Sequence, residues 1–337
     1  MYAIQLVEPS LNSFRRTSLP DPEPGPGDVL IRLRAAALNY IDVAVATGSF
    51  PGATLPMVPV ADGAGEVVAL GAGVTADVTD IALGDRVIPH FMPGWLDGPM
   101  RPEKIAAMRG ITLPGSLSEY VAVPARSVVR LPSHLDFVQG ATLPIAATTA
   151  WNAVRSAAVR PGSTVVILGT GGVSLFALQF AKASGATVIL ISSSDAKLER
   201  GRALGADHLV NYRARPDWDA AVLALTNGRG ADLVVETVGD ATFERSLHAA
   251  AMGGTVFTVG FLSGVTTSIN LFSIIGKALR VVGNSTGSVA DLAEAVRAIE
   301  ANGIVPVVDR TFGIDEAAAA YRTVAGGTHV GKAAIVH

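Results

Sequence analysis

Between Val165 and Glu199 the chain reads VVILGTGGVSLFALQFAKASGATVILISSSDAKLE, and its glycines are spaced to hold a phosphate. Gly169, Thr170, Gly171, Gly172 and Val173 follow an apolar, strand-like run and open a helical one. The first glycine permits a tight turn and Gly171 lets a pyrophosphate approach the backbone. The helix start then offers free amides and a partial positive charge. Ser174 stands where the pattern G-x-G-x-x-G has its third glycine, and it is small enough for close strand–helix packing. The second apolar run ends in Ser192-Ser193-Ser194, followed by Lys197, where an acid would be needed to accept from a ribose 2′-hydroxyl. Hydroxyls and an ammonium bind a 2′-phosphate that a carboxylate repels. Tyr212 and Arg213 are expected to add a donor and a charge. The expected cofactor is therefore NADP(H). Asp195 reads as a cap for the following helix.

The loop needs a frame. From about Thr164 strands alternate with helices: strands at Thr164–Leu168, Thr187–Ser192, His208–Tyr212, Asp232–Glu236, Thr255–Val259 and Leu279–Asn284, helices at Val173–Ser184, Ala196–Leu204, Trp218–Leu225, Thr242–Ala250 and Leu271–Lys277. Near-continuous apolar strands of this kind predict a six-stranded parallel sheet, doubly wound, with helices on both faces. Ligands bind such sheets where strand order reverses, between the first and fourth strands. That places Val238 and Gly239, and Gly260, Phe261 and Leu262 after the fifth strand, along the nicotinamide half. From Met1 to about Pro124 the apolar runs are short and broken by turn residues, which predicts a mainly antiparallel β domain. VADLAEAVRAIEANG reads as an amphipathic helix, and VPVVDRTFG and KAAIVH as strands returning to the first domain. The expected division is a β-rich substrate domain at 1–124 and 285–337 and a cofactor domain at 125–284.

Composition narrows the function. The 337 residues are 49% hydrophobic and 16% charged, with a net charge of −3 and no basic cluster to meet nucleic acid. The chain has no cysteine, which excludes disulfides, iron–sulfur clusters and thiolate zinc sites. No secretory signal and no stretch of membrane-spanning length is evident, so a cytoplasmic protein without a membrane partner is expected.

The stretches PGPGDVLIRLRAAALNYID, VADGAGEVVALGAGV, GDRVIP, GSLSEYVAVP, GTGGVSLFALQFAKA, LGADHLVNYR and GKAAIV together resemble the medium-chain dehydrogenase/reductase superfamily, and most of all its zinc-independent, quinone-oxidoreductase-like branch. The resemblance implies an α/β protein with a GroES-like β-rich catalytic domain, a Rossmann domain, a cleft between them, and homodimers formed by pairing the strand at Leu279–Asn284. The family's zinc enzymes bind metal with Cys, His and Cys; the matching positions here are Asn39, Ala61 and Ile145. Trp95 falls about where the first cysteine of the structural lobe would be, and the six histidines are scattered without ligand spacing. No metal is expected.

Without a metal, charge developing on a substrate oxygen must be met by hydrogen-bond donors, each contributing about 3–4 kcal/mol in an enclosed site. Hydride addition to a C=C conjugated with a carbonyl, or to a quinone, spreads that charge and suits modest donors. The candidate catalytic residues are Asn39 and Tyr40, which match the family's pair near the nicotinamide ribose, His90, which titrates near neutrality when unperturbed, and Thr148 on the helix linking the domains. The adjacent Thr149 either shares that contact or bonds back within its helix. Phe50 replaces a family tyrosine; Phe91, Trp95 and Trp151 are pocket or core residues; Asp62 either orients a neighbour or caps a turn. Lys332 matches a family lysine that approaches the cofactor, and Asn284 and Ser285 are expected to border the same site. The expected activity is NADPH-dependent reduction of an enone or quinone. Its rivals are zinc-independent alcohol oxidation or carbonyl reduction, and NADPH binding without turnover.

Overall fold

The computed structural model describes residues 1–75 and 79–337, which form two compact units, Met1–Thr148 with Gly287–His337, and Thr149–Thr286. In the first unit β1 (Tyr2–Leu6) and β2 (Phe14–Ser18) make a small hairpin sheet. The main sheet is built on the ten-residue β3 (Asp28–Ala37), followed by β4 (Asp62–Leu70), β5 (Arg86–Pro89), β6 (Tyr120–Pro124) and β7 (Val128–Arg130). Residues alternate between buried and less buried along most of β3, as expected of a strand with one face on a core. Small residues let its neighbours close in. A Cβ on Gly65 of β4 would lie 2.1 Å from the Arg32 carbonyl oxygen across the ladder, so only glycine fits there.

The second unit holds β8 (Thr164–Leu168), β9 (Thr187–Ser192), β10 (His208–Asn211), β11 (Ala231–Glu236), β12 (Ala250–Thr258) and β13 (Arg280–Gly283). All pair in parallel, in the order β10-β9-β8-β11-β12-β13. The strand order reverses between β8 and β11, as in a doubly wound nucleotide-binding sheet. Every residue of β8 is buried. Trp218, Val234 and Leu247 fill the core on one side, while Trp151 meets Phe180 edge-on at 5.3 Å. Trp151 is therefore a packing residue.

The chain then returns to the first unit through the helix Val289–Asn302 and the strands β14 (Val308–Gly313) and β15 (Lys332–Val336), with β15 antiparallel to β3. The seven-stranded sheet runs β14-β15-β3-β4-β5-β7, with β6 also paired to β3.

The division between units differs from the sequence expectation. Residues 125–148 stay with the first unit because β7 pairs with β5 and the Ile145 amide donates to Asp62. The later boundary falls after Thr286 rather than at 284, since Asn284 donates from its side chain to the Thr286 carbonyl and Asn152 donates to the same oxygen. No helix among the described residues is long and apolar enough to cross a membrane.

Candidate active site

The glycine turn is formed as its residues require. Gly169 ends β8 with a φ of +76° and donates its amide to the Ile191 carbonyl at 2.7 Å. Such a φ is open to glycine at little cost. Gly171 precedes the helix Gly172–Ala183, and a Cβ placed there would project into open space. That space and the free amides of the helix start suit a pyrophosphate. Ser174 has a more specific role than small size: its buried hydroxyl donates to the Leu168 carbonyl at 2.7 Å and pins the helix to the strand end.

At the far end of β9, Ser192 lies in register with Asn211 of β10, so the two strand ends meet. Ser193, Ser194, Tyr212 and Arg213 follow directly from these ends, and Lys197 lies in the first turn of the helix Asp195–Ala203. The Tyr212 amide donates to the Ser192 carbonyl, and the residue is 45% exposed. Asp195 does not cap the helix. It is the first helical residue, Ser194 holds the cap position, and the Asp195 carboxylate instead accepts from Asn211 Nδ2 at 2.7 Å.

Two loops leave the sheet beside the glycine turn. Thr237 donates its hydroxyl to the Leu168 carbonyl at 2.7 Å, joining the end of β11 to the end of β8. Gly239 takes a φ of +109° before the helix Asp240–Ala249. Gly260 packs so tightly on Thr237 that a Cβ would lie 1.8 Å from its carbonyl carbon. Beneath both loops the buried Glu236 carboxylate gathers the Val238 and Gly239 amides and the Thr242 and Ser246 hydroxyls. Sequence reading passed over Glu236 as the last residue of an apolar strand. Asn284 follows β13, and its amide donates to the Thr258 carbonyl.

The first unit contributes a buried polar cluster. Asn39 precedes the helix Tyr40–Ala46 and donates its backbone amide to Asp42 Oδ2 at 2.7 Å. Its side chain is gripped from both ends: Lys332 Nζ donates to Oδ1 at 2.6 Å, and Nδ2 donates to Asp62 Oδ2 at 2.8 Å. A cation at one end and a carboxylate at the other fix the orientation of the amide. Lys332 and Asp62 are themselves 3.7 Å apart and nearly inaccessible. The expectation that Asp62 orients a neighbour holds. Lys332, expected beside the cofactor, has its ammonium turned inward to Asn39 and Asp62, because a buried cation needs acceptors. Ala61 donates its amide to Asp42 Oδ1, and the buried Arg109 donates to the Ser116 hydroxyl at 3.0 Å.

Charge states follow from burial. Burial pushes the Asp62 carboxyl up to about 7, against the opposing pull of the Lys332 ammonium and the Asn39 hydrogen bond. Burial lowers Lys332 and raises Asp42 in the same cluster, and it lowers the Arg109 guanidinium to about 10.

His90 departs from its expected titration near neutrality. It is fully buried, its Nδ1 accepts from the Met92 amide at 3.0 Å, and burial lowers it to about 4. The imidazole is neutral at pH 7. Thr148 and Thr149 are also buried, and neither hydroxyl bonds to a described group, so neither bonds back within its helix. Phe91 and Trp95 lie in the core of the first unit with Phe50 packed against it, and Tyr40 packs there too.

The zinc expectation is tested by donor chemistry. Asn39, Ala61 and Ile145 supply one amide and two alkyl groups, whereas zinc takes thiolate, imidazole or carboxylate ligands. No cluster of three or more His, Cys, Asp or Glu suited to a metal occurs among the described residues. The Lys332 ammonium already supplies a positive charge at Asn39. These residues do not fit a zinc site.

Asp62 provides a direct check. Its folded value lies above the ordinary 3.8, so its contribution to stability is full below that pH and is lost as pH rises through about 7. The carboxyl carbon of Asp62 should show an NMR titration with a midpoint near 7, and Lys332→Met should move that midpoint upward. A midpoint near 4 in the wild type would mean that the cluster is hydrated.

Residues 25–133 match the family model for the alcohol dehydrogenase GroES-like domain, and residues 172–301 match that for zinc-binding dehydrogenase. A zinc-type alcohol dehydrogenase-like protein of Schizosaccharomyces pombe is 41% identical over 91% of this chain and 90% of its own length. A quinone oxidoreductase of Pseudomonas aeruginosa is 32% identical over 93% and 92%. The solved structure of an NAD-dependent alcohol dehydrogenase superposes with a TM-score of 0.90 at 34% identity, covering both chains fully. With these matches spanning both units, and with a doubly wound sheet carrying a glycine turn at its first strand, the chain belongs to the medium-chain dehydrogenase/reductase superfamily of oxidoreductases, whose members bind a nicotinamide cofactor.

Proposed function

We propose that the protein is a zinc-independent, NADPH-dependent reductase acting on the activated C=C of an enone or on a quinone. The observation that carries this reading is the Lys332–Asn39–Asp62 cluster, which holds an oriented amide at Asn39, one of the positions matched to zinc ligands, between a lysine and an aspartate. NADPH, when bound, supplies the hydride. The glycine turn at Gly169–Gly172 holds its pyrophosphate, and Ser193, Ser194, Lys197, Tyr212 and Arg213 hold its 2′-phosphate. Val238, Gly239, Gly260, Phe261 and Leu262 line its nicotinamide half, with Asn284 beside them.

Asn39 is the principal donor to the substrate oxygen or nicotinamide ribose, since its amide is held by charges on both sides. Tyr40, next in the chain, borders the same site, and the unsatisfied Thr148 hydroxyl is available to the cofactor. His90 is neutral near pH 7, and with Nδ1 accepting from the Met92 amide its one proton sits on Nε2, a hydrogen-bond donor but a far weaker acid than an imidazolium, so the reading gives it no general-acid role. A single amide donor offers about 3–4 kcal/mol, too little to replace a Lewis acid on an isolated ketone. A conjugated acceptor needs less, because its charge is shared.

Two measurements test this reading. Purified protein should oxidise NADPH with enones or quinones far faster than with saturated ketones, and a chelator should leave the rate unchanged. Reduction at C=O alone would favour a zinc-independent alcohol dehydrogenase or carbonyl reductase, and binding without turnover a sensor. The NAD-dependent neighbour makes the second measurement the sharper one: Lys197→Ala should raise the NADPH dissociation constant about tenfold and leave that for NADH within twofold. Equal effects on both would remove the phosphate assignment.

The same reading includes a homodimer. β13 lies at an edge of the six-stranded sheet, and Leu271, Phe272, Ile275 and Val281 near it are exposed, Phe272 by 76%. An open strand edge with apolar neighbours favours pairing with a second copy. Light scattering should return twice the chain mass of 34.5 kDa. A monomer at micromolar concentration would reject the pairing.

A further inference from the structure

Glu236 closes β11 and is completely buried, yet no cation is paired with it in its own hydrogen-bond set. A carboxylate in that position costs a great deal unless donors surround it. Here they do. Oε1 accepts from the Val238 amide at 2.8 Å, the Gly239 amide at 3.0 Å and the Thr242 hydroxyl at 2.8 Å. Oε2 accepts from Thr242 at 2.9 Å and from the Ser246 hydroxyl. The side chain thus folds back under its own following loop and ties it to the helix Asp240–Ala249.

The backbone carbonyl of the same residue does a second job. It accepts from the Val259 and Gly260 amides, at 3.0 and 3.1 Å, at the start of the loop after β12. The two loops are then stitched together further out, where the Ser263 amide donates to the Val238 carbonyl and the Ser263 hydroxyl accepts from the Ala241 amide. Gly260 rests against Thr237 with no room for a Cβ. One residue therefore sets the height of Val238–Gly239 with its side chain and that of Val259–Gly260 with its main chain.

We propose that Glu236 is a positioning residue that sets the spacing of the two nicotinamide-facing loops while leaving the adenosine end untouched. This rests on the reading that these loops face the nicotinamide. The adenosine end is assigned to β9 and β10, on the other side of β8 from β11. Loss of the Glu236 acceptors should therefore separate affinity for the two halves of the dinucleotide.

The chemistry picks the variants. Glu236→Leu removes every side-chain acceptor and strands the part-buried Val238 amide and the buried Gly239 amide. Glu236→Gln keeps one carbonyl oxygen for the Val238 and Gly239 amides, and its NH2 donates to the Thr242 and Ser246 hydroxyls, which can rotate to accept. Glutamine should rescue, and leucine should not. Should the leucine variant fail to fold, Glu236→Asp withdraws the carboxylate by one methylene and serves in its place.

Two readouts are taken on the full-length protein. Amide exchange at Val238, Gly239, Val259 and Gly260 should rise about tenfold or more in Glu236→Leu, with β8 and β9 unchanged and Glu236→Gln near wild type. The NADPH dissociation constant should rise about tenfold in the leucine variant while that of 2′,5′-ADP, which lacks the nicotinamide half, stays within twofold. Unchanged exchange in the loops overturns the proposal, and so does an equal loss of NADPH and 2′,5′-ADP. The binding arm is repeated with NADH and 5′-AMP, so a wrong choice of dinucleotide shows in the wild type, whereas the exchange arm judges Glu236 alone.

Discussion

The first unit is organised around an ammonium that has to be buried. Lys332 opens the C-terminal strand β15, and its Nζ sits between the Asn39 amide and the Asp62 carboxylate with almost no exposure. Bringing those groups together needs three strands at one level. β15 pairs with β3 so that Ala334 faces Ala37, and β3 pairs with β4 so that Ala37 faces Asp62. Alanines at 35–37, 333 and 334, with Gly63 and Gly65, keep that junction thin; a Cβ on Gly63 would strike the Ser116 side chain. A buried pair of this sort is weak evidence for stability, because desolvation offsets most of the Coulomb gain. Removing one member alone is costly, since the other is left buried and uncompensated. The cluster is better understood as a device that fixes geometry, and what it fixes is the Asn39 amide.

The second unit solves a similar problem with backbone donors. Its strand ends carry few charges, and their positions are set by hydroxyl and amide bonds to carbonyls: Ser174 and Thr237 to Leu168, Gly169 to Ile191, Val259 and Gly260 to Glu236. The buried carboxylate at these strand ends, Glu236, is satisfied by amides and hydroxyls. Leu168 is the common point, since its carbonyl receives both the helix after the glycine turn and the loop after β11. The turn is thus referenced to its neighbours on two sides.

What the amino-acid sequence discloses depends on how local each demand is. Gly169 and Gly171 were legible because a positive φ and an open backbone are requirements of single residues. The six parallel strands were legible because strands buried on both faces are apolar throughout; the errors lie at their ends, where β13 is shorter and β12 begins earlier than the apolar pattern suggests. Asp195 was misread because its partner, Asn211, reaches it through the β9–β10 register rather than through helix-start chemistry. Lys332 was singled out, but its partner Asn39 lies 293 residues away, and only the sheet order makes them neighbours. His90 was read by its free titration, which burial overrides. Glu236 offered one faint signal, an acid directly after the apolar run Leu233–Val235, and that run hid it.

A fixed ammonium and a metal ion differ in what they can do for a substrate. A metal with an open position binds the reacting oxygen itself and stabilises localised charge. The Lys332 ammonium is enclosed and spends its hydrogen bond on Asn39, so its influence reaches outward only through the amide it orients. An amide dipole held in place costs no reorganisation when charge develops, which is the useful property of a preorganised donor. It remains a dipole, and its stabilisation is smaller and falls off faster with distance than that of a full charge. On the proposed reading, the substrate must make up the difference by delocalising its own negative charge, as an enolate or a hydroquinone anion does. The replacement of the metal ligands and the preference for a conjugated acceptor are then two consequences of one substitution, a buried lysine-held amide where a zinc-bound oxygen would otherwise be.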